Sequence, residues 1–332
     1  MKLKKVVPML MAAAMVMGSV TVSAEEPIVL TYADVNPIDS TDGMYATFFK
    51  EKVAELTDGA VVIDIQASGV LGAENDILDG MITGSGTVDL SRTSCYAFAS
   101  YGCNTSALLG LPFIFESHEH FWNFTETELA DQILNEPVEA GLGVRGLFWV
   151  EDGFRSFFFK DPVAGIEDMK DKKIRVSTDQ IMTGLTEGIG ASPTVVSFNE
   201  LYTSLQSGVV DGAEQPIAPY ESNAFYEVAP YFIKNEHTMA TSEIVITDAA
   251  IAKLTEEQYA ALQEAGKATQ EYCREVIESA EAECIESLLE NGVTFIEVED
   301  KAPWRAACED VIAGFIEGLE TEYQTILDAV NA

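Results

Sequence analysis

The side chains with the most chemical meaning in this chain are its arginines. There are only six, against 55 aspartates and glutamates. Three share a setting. Arg92 ends the strand-like run Val88 to Arg92, Arg155 lies in Gly153-Phe154-Arg155-Ser156-Phe157-Phe158-Phe159, and Arg175 lies in Lys173-Ile174-Arg175-Val176. Each has apolar neighbours. A guanidinium grips a carboxylate through two parallel hydrogen bonds, which an ammonium cannot do. In open α/β sheets ligands bind at strand ends. Two readings follow from the pattern: a site for an organic anion, or ion pairs with this acid-rich chain's own carboxylates. Arg274 and Arg305 sit in acid-rich helical stretches, where surface pairs contribute little.

Other chemistry finds weaker footing. Gly84-Ser85-Gly86 lacks the third glycine of a dinucleotide loop and reads as a turn. No Walker loop, nucleophile elbow or zinc-protease helix occurs in the sequence. His118-Glu119-His120, between Ser117 and Phe121-Trp122, reads as the polar first turn of a helix rather than a metal site. The acidic residues over 271–290 read as a solvated helix face. No catalytic group, metal or cofactor is called for. The five cysteines match no zinc spacing and read as small buried residues, with Cys95–Cys103 as a possible bridge.

The elements that would position the arginines alternate strand and helix, which argues for α/β layers and roughly two domains. Leu30 to Ala33 reads as a first strand, followed by a helix with Tyr45, Phe48, Phe49, Val53 and Leu56 at helical spacing. Further strands are expected at Ala60–Ile65, Val88–Arg92, Val144–Val150, Phe154–Phe159, Ile174–Ser177, Val209–Gly212 and Ile244–Ile246. Ser197-Phe198-Asn199-Glu200 and Thr255-Glu256-Glu257-Gln258 read as capping boxes. The second opens a helix of about 35 residues, or about 50 Å, long enough to span two lobes.

Lys2, Lys4 and Lys5, the apolar run Val6 to Val20, and Val22-Ser23-Ala24 predict a cleaved secretory signal over 1–24. The mature chain is then expected in the periplasm or otherwise outside the cytoplasm, with no direct insertion into the membrane. The formal charge of −36 disfavours nucleic acid and anionic lipid as partners. It leaves room for a local cationic site, because charges beyond about 8 Å are largely screened.

Residues 164–216 resemble the substrate-binding proteins of tripartite ATP-independent periplasmic (TRAP) transporters. The resemblance rests on Asp168-Met169-Lys170-Asp171-Lys172-Lys173-Ile174-Arg175-Val176, on Gly190-Ala191-Ser192-Pro193, and on the unbroken series from Ser197 to Pro216. Gly69-Val70-Leu71-Gly72, Leu111-Pro112-Phe113 and Phe225-Tyr226-Glu227-Val228-Ala229-Pro230 extend it to about residues 28–250. It implies a two-lobed, type II-like periplasmic-binding fold with a long helix shared by both lobes. It also implies closure on a small organic acid and delivery to integral-membrane TRAP subunits. Lobe I is expected over 27–152 and 241–280, lobe II over 153–240 and 281–332. By the same resemblance Arg175 clamps the ligand carboxylate, with Arg155 and Gln215 at the same site and Phe198 packed on the ligand. Gln215 stands where the family has Asn. Glu74 and Ser94 fall near first-lobe pocket positions, and His237 near a polar pocket or hinge position.

Arg92 departs from the pattern. As a second cation across the cleft it would suit a C4-dicarboxylate or a related acid such as a sugar acid; paired with a protein carboxylate it would not. The expectation as a whole requires the guanidiniums of Arg155 and Arg175 to be neighbours and not buried against internal carboxylates. An ABC-importer binding protein, a ligand receptor for a sensor kinase and a secreted hydrolase are the alternative readings.

Overall fold

The computed structural model describes residues 26–85 and 87–330, so the predicted signal segment lies outside the described residues. Among the described residues nine strands form one sheet: β1 Ile28–Ala33, β2 Val61–Gln66, β3 Leu90–Ser94, β4 Val144–Phe159, β5 Lys173–Val176, β6 Ser192–Val195, β7 Gly212–Gln215, β8 Tyr231–Thr247 and β9 Thr294–Glu297. The order is β2-β1-β3-β8-β4-β7-β5-β6, with β9 beside β8. β2, β1 and β3 run parallel, as do β7, β5 and β6. Each trio is a half-sheet with its own helices. The long antiparallel pair β4 and β8 joins them.

That joint carries the architecture. β4 and β8 slip register between Glu151 and Phe154 and again between Arg155 and Phe157. From Ser156 on, the edge of β4 away from β8 is paired with β7. Gly153, with φ +89°, lies at the slip and supplies the left-handed backbone that a side chain resists. A Cβ there would also fall 1.8 Å from Glu281 Oε1. The sequence predicts two strands, Val144–Val150 and Phe154–Phe159; the structure makes them one, bent at Asp152-Gly153. Phe157, Phe158 and Phe159 are all fully buried, because this part of β4 is covered on both faces.

The helix Glu256–Glu290 has the predicted 35 residues. Its capping box forms: Gln258 N donates to Thr255 Oγ1 at 3.1 Å, and Thr255 N donates to Gln258 Oε1 at 2.9 Å. It packs on the helix Thr41–Leu56 of the first half, on β4, and on the helix Ile217–Ser222 of the second. The Ser197 box does not form. Ser197 opens a short 3₁₀ turn, Phe198–Glu200, and its hydroxyl caps nothing. At the C-terminus the helix Glu309–Phe315 packs on Gln180–Gly188, while Glu320–Val330 crosses back onto His118–Thr125.

The five cysteines are free thiols, so the Cys95–Cys103 bridge is not made. Cys95 Sγ accepts from Thr241 Oγ1 at 2.9 Å inside the first half. His118–Thr125 is the helix its polar first turn predicts, capped by Ser117. Among the described residues no helix is long and apolar enough to cross a membrane.

Candidate functional site

Where the two half-sheets meet, one cavity collects nearly every residue singled out from the sequence. Arg92, Arg155, Arg175, Glu74, Ser94, Phe198 and Gln215 all line it. About 70 Å³ of it is open to the centre of a water molecule. Asp152 and Arg155 from the middle of β4 and Ala240 to Ser242 from the middle of β8 line it together with residues of three short strands. β3 brings Arg92 and Ser94, β5 brings Arg175, and β7 brings Gln215.

Arg175 is placed by alternation. Ile174 and Val176 are fully buried on the core face of β5, so Arg175 must take the other face. Its Nε donates to Val196 O at 2.8 Å, and its guanidinium carbon lies 6.0 Å from the Phe198 ring centre. Only 3% of the residue is exposed. Among the described residues no carboxylate lies within ion-pair distance of it, and its terminal nitrogens have no protein partner. Burial, followed by the charge of Arg155, pulls its pKa below the ordinary arginine value, against the opposing pull of Glu214. An arginine nevertheless stays charged at any working pH. The side chain is therefore a desolvated cation whose counter-charge the protein does not provide.

Arg155 does not meet the condition set from the sequence. It is buried against an internal carboxylate: Nε donates to Glu214 Oε2, and Nη2 donates to Glu214 Oε1 at 2.8 Å. Burial disfavours both charges, yet the bidentate pair outweighs it, holding the Glu214 carboxyl down at about 2 and raising Arg155 further. Arg155 still lines the cavity, but as one half of a neutral pair. Behind that pair stands His237, whose Nε2 is 3.7 Å from Glu214 Oε2 and whose ring stacks on Phe157 at 4.6 Å. His237 is fully buried and does not line the cavity, so it supports the pair rather than contacting the space.

Arg92 also lines the cavity paired with protein carboxylates, the second of the two readings open from the sequence. Its Nε lies 2.8 Å from Asp42 Oδ1, its Nη2 donates to Asp152 Oδ2, and its Nη1 is 4.0 Å from Glu74 Oε1. Tyr45 Oη lies 2.7 Å from Asp42 Oδ1 and 3.2 Å from Asp152 Oδ1. Burial raises the Asp152 carboxyl to about 7 despite Arg92, with Asp42 adding to the rise. This corner holds more negative than positive groups. It has no spare cation for a second ligand carboxylate.

The remaining walls are hydrogen-bonding and neutral or acidic. Glu74 opens the helix Glu74–Thr83, and its two oxygens accept from Ser94 N and Ser94 Oγ, both at 2.7 Å. The Gln215 side-chain amide has no protein partner among the described residues. Phe198, braced edge-on by Phe225 at 5.7 Å, offers a ring face. Asn36, Tyr96, Asp152 and Ser177 also line the space and were not foreseen. Asp152-Gly153, a polar break inside an otherwise apolar strand run, was the one available signal. Asn36 Oδ1 accepts from Asn223 Nδ2 at 3.3 Å, joining the two halves across the mouth.

Comparison with known proteins gives one consistent result. Residues 32–318 match the family described as bacterial extracellular solute-binding protein, family 7. A solute-binding protein of Roseobacter denitrificans is 32% identical over 267 residues, which is 80% of each chain. Its solved structure, a TRAP periplasmic solute-binding protein with bound L-galactonate, superposes with TM-score 0.84, covering 91% of this chain and 99% of that one. A second such structure, from Xanthobacter autotrophicus with bound β-D-galacturonate, is 27% identical with TM-score 0.84, covering 90% and 99%. The C4-dicarboxylate-binding periplasmic protein of Rhodobacter capsulatus is 25% identical over 287 residues, 86% of this chain and 85% of that one. The fold is thus the two-lobed periplasmic-binding arrangement predicted from the sequence.

Proposed function

The chain belongs to family 7 of the bacterial extracellular solute-binding proteins, and on that premise we propose that it captures the monoanion of a sugar acid between its lobes. One carboxylate binds Arg175, and hydroxyls bind the opposite wall. The observation that carries this reading is the unequal state of the three arginines. Arg175 lacks a counter-charge, Arg155 is neutralised by Glu214, and Arg92 is outnumbered by Asp42 and Asp152. A second carboxylate placed near Arg92 would face Glu74 and Asp152. Sugar hydroxyls suit that wall, since they donate to carboxylates and amides and accept from amides. Galactonate and galacturonate in the two solved relatives support the same choice over a C4-dicarboxylate.

In this reading Gln215 donates to the carboxylate beside Arg175, and Phe198 covers the carbon skeleton. Arg155 holds its place through Glu214 and His237. A charge-assisted hydrogen bond contributes about 1.5–3 kcal/mol, and micromolar affinity needs about 8 kcal/mol. Hydroxyl contacts and exclusion of water on closure supply the difference. Closure follows because the acid touches both walls only when they meet. The lobes divide as 27–152 with 241–280 and 153–240 with 281–332, pivoting at the β4–β8 register slip. The final helix, packed on His118–Thr125, ties the tail of the second lobe to the first. The bound acid passes unchanged, outside the cytoplasm, to the membrane subunits of a TRAP transporter.

A thermal-shift comparison of matched acids tests this. L-galactonate and D-galacturonate should each raise the melting temperature more than galactarate, succinate or malate. A larger shift from the diacids overturns the sugar-acid assignment, and no shift from any acid overturns the Arg175 clamp.

A further inference from the structure

The cleft does not end at the acid site. A second cavity of about 220 Å³, by the same measure, shares Glu74, Tyr96, Arg175, Ser177 and Phe198 with the first. A third, of about 300 Å³, adjoins it and shares Tyr96, Thr178 and Asp179 with it. Tyr96 lines all three. Only 6% of it is exposed, and its hydroxyl has no protein partner among the described residues. A largely buried ring whose hydroxyl has no protein partner, lining three cavities, is placed to meet a ligand that passes it.

Resting on the sugar-acid reading, we propose that the third cavity is a second sugar subsite, so that the protein takes a sugar acid extended by a neutral glycosyl unit. Its walls fit that chemistry. Ser100 and Asn104 from the first lobe face Thr178 and Gln180 from the second, and Phe315 adds an aromatic surface. These are neutral donors and acceptors around a ring, the composition that orients a polyhydroxy group. Among the described residues no lysine or arginine lines it. Its one charged group, Asp179, already accepts from Met182 N at 2.6 Å and from Ser177 Oγ. An anionic extension would meet that carboxylate with no cation to offset it, so the added unit is uncharged. The cavity lies between the lobes, so an occupant would contribute to closure.

Calorimetric titration with D-gluconate, maltobionate and lactobionate decides the matter; the last two are gluconate carrying one neutral hexose. The native protein should bind at least one of the two aldobionates ten-fold or more tighter than gluconate. Asn104→Ala combined with Gln180→Ala, both outside the acid cavity, should remove that advantage and leave gluconate affinity unchanged. Aldobionates that bind no tighter than gluconate, or that do not bind at all, overturn the subsite, as does an advantage that survives the double substitution. Absence of binding by gluconate, L-galactonate and D-galacturonate alike overturns the Arg175 reading, which is a separate failure.

Discussion

Arg175 is costly to the ligand-free protein. A buried guanidinium without a counter-ion loses its hydration and regains little of it. Arg175→Met keeps the volume and removes the charge. It should raise the ligand-free melting temperature by about 2–5 °C, in line with a gain of about 1–2 kcal/mol in a chain this size, while abolishing the thermal shift from any sugar acid. A variant that melts lower than the parent, or that keeps its shift, contradicts this account. Arg92 should behave in the opposite way. Arg92→Ala leaves Asp42 and Asp152 buried without their cation, and stability should fall by about 3–5 kcal/mol in denaturant unfolding. Unchanged stability with selectively weakened diacid binding would return Arg92 to the ligand. The sequence located all three arginines in the cavity but not their partners. Alternation fixes which face of a strand a side chain takes. Whether Glu214 or Asp152 comes to rest against it depends on strands 59 and 60 residues away in sequence.

His118 Nδ1 lies 2.6 Å from Glu151 on β4, and Nε2 lies 3.2 Å from Glu281 on the long helix. Burial pulls the imidazole pKa down, but the two carboxylates outweigh it and lift it to about 10. A histidine whose folded pKa is raised stabilises fully below its unfolded value of about 6.5, and the contribution is lost as pH rises through about 10. His118→Gln should therefore be clearly less stable than the parent at pH 7, and the gap should narrow toward pH 10. A gap that stays constant across that range would remove the ion pairs from the account. Gly153→Ala, at φ +89° and against Glu281, should destabilise by more than about 1 kcal/mol in the same assay. Element legibility divides along the same line. The long helix was readable because its cap and period are local. β8 runs from Tyr231, yet only Ile244–Ile246 was foreseen. Its first half is polar over Lys234 to His237: Tyr231–Lys234 becomes strand through pairing with β9 and β4, and Asn235 to His237 fall in the register slip.

At the scale of the whole molecule, one uncompensated cation, Arg175, sits in the cleft of a chain of formal charge −36. An approaching anion is repelled by the surface and attracted only within about a Debye length of the cleft. Stopped-flow association of a sugar acid should accelerate as salt rises from about 10 to 150 mM, since the longer-ranged repulsion is screened first. Slowing over that range would mean that Arg175 itself steers capture. Closure should also register as a smaller radius of gyration in solution scattering with the acid present.

The most direct test is a crystal structure of the protein with L-galactonate or D-galacturonate. The account predicts both carboxylate oxygens within hydrogen-bond distance of Arg175, the Gln215 amide beside them, and hydroxyls toward Glu74 and Asn36. A carboxylate seated on Arg92, or one more than about 4 Å from the Arg175 guanidinium, would contradict it.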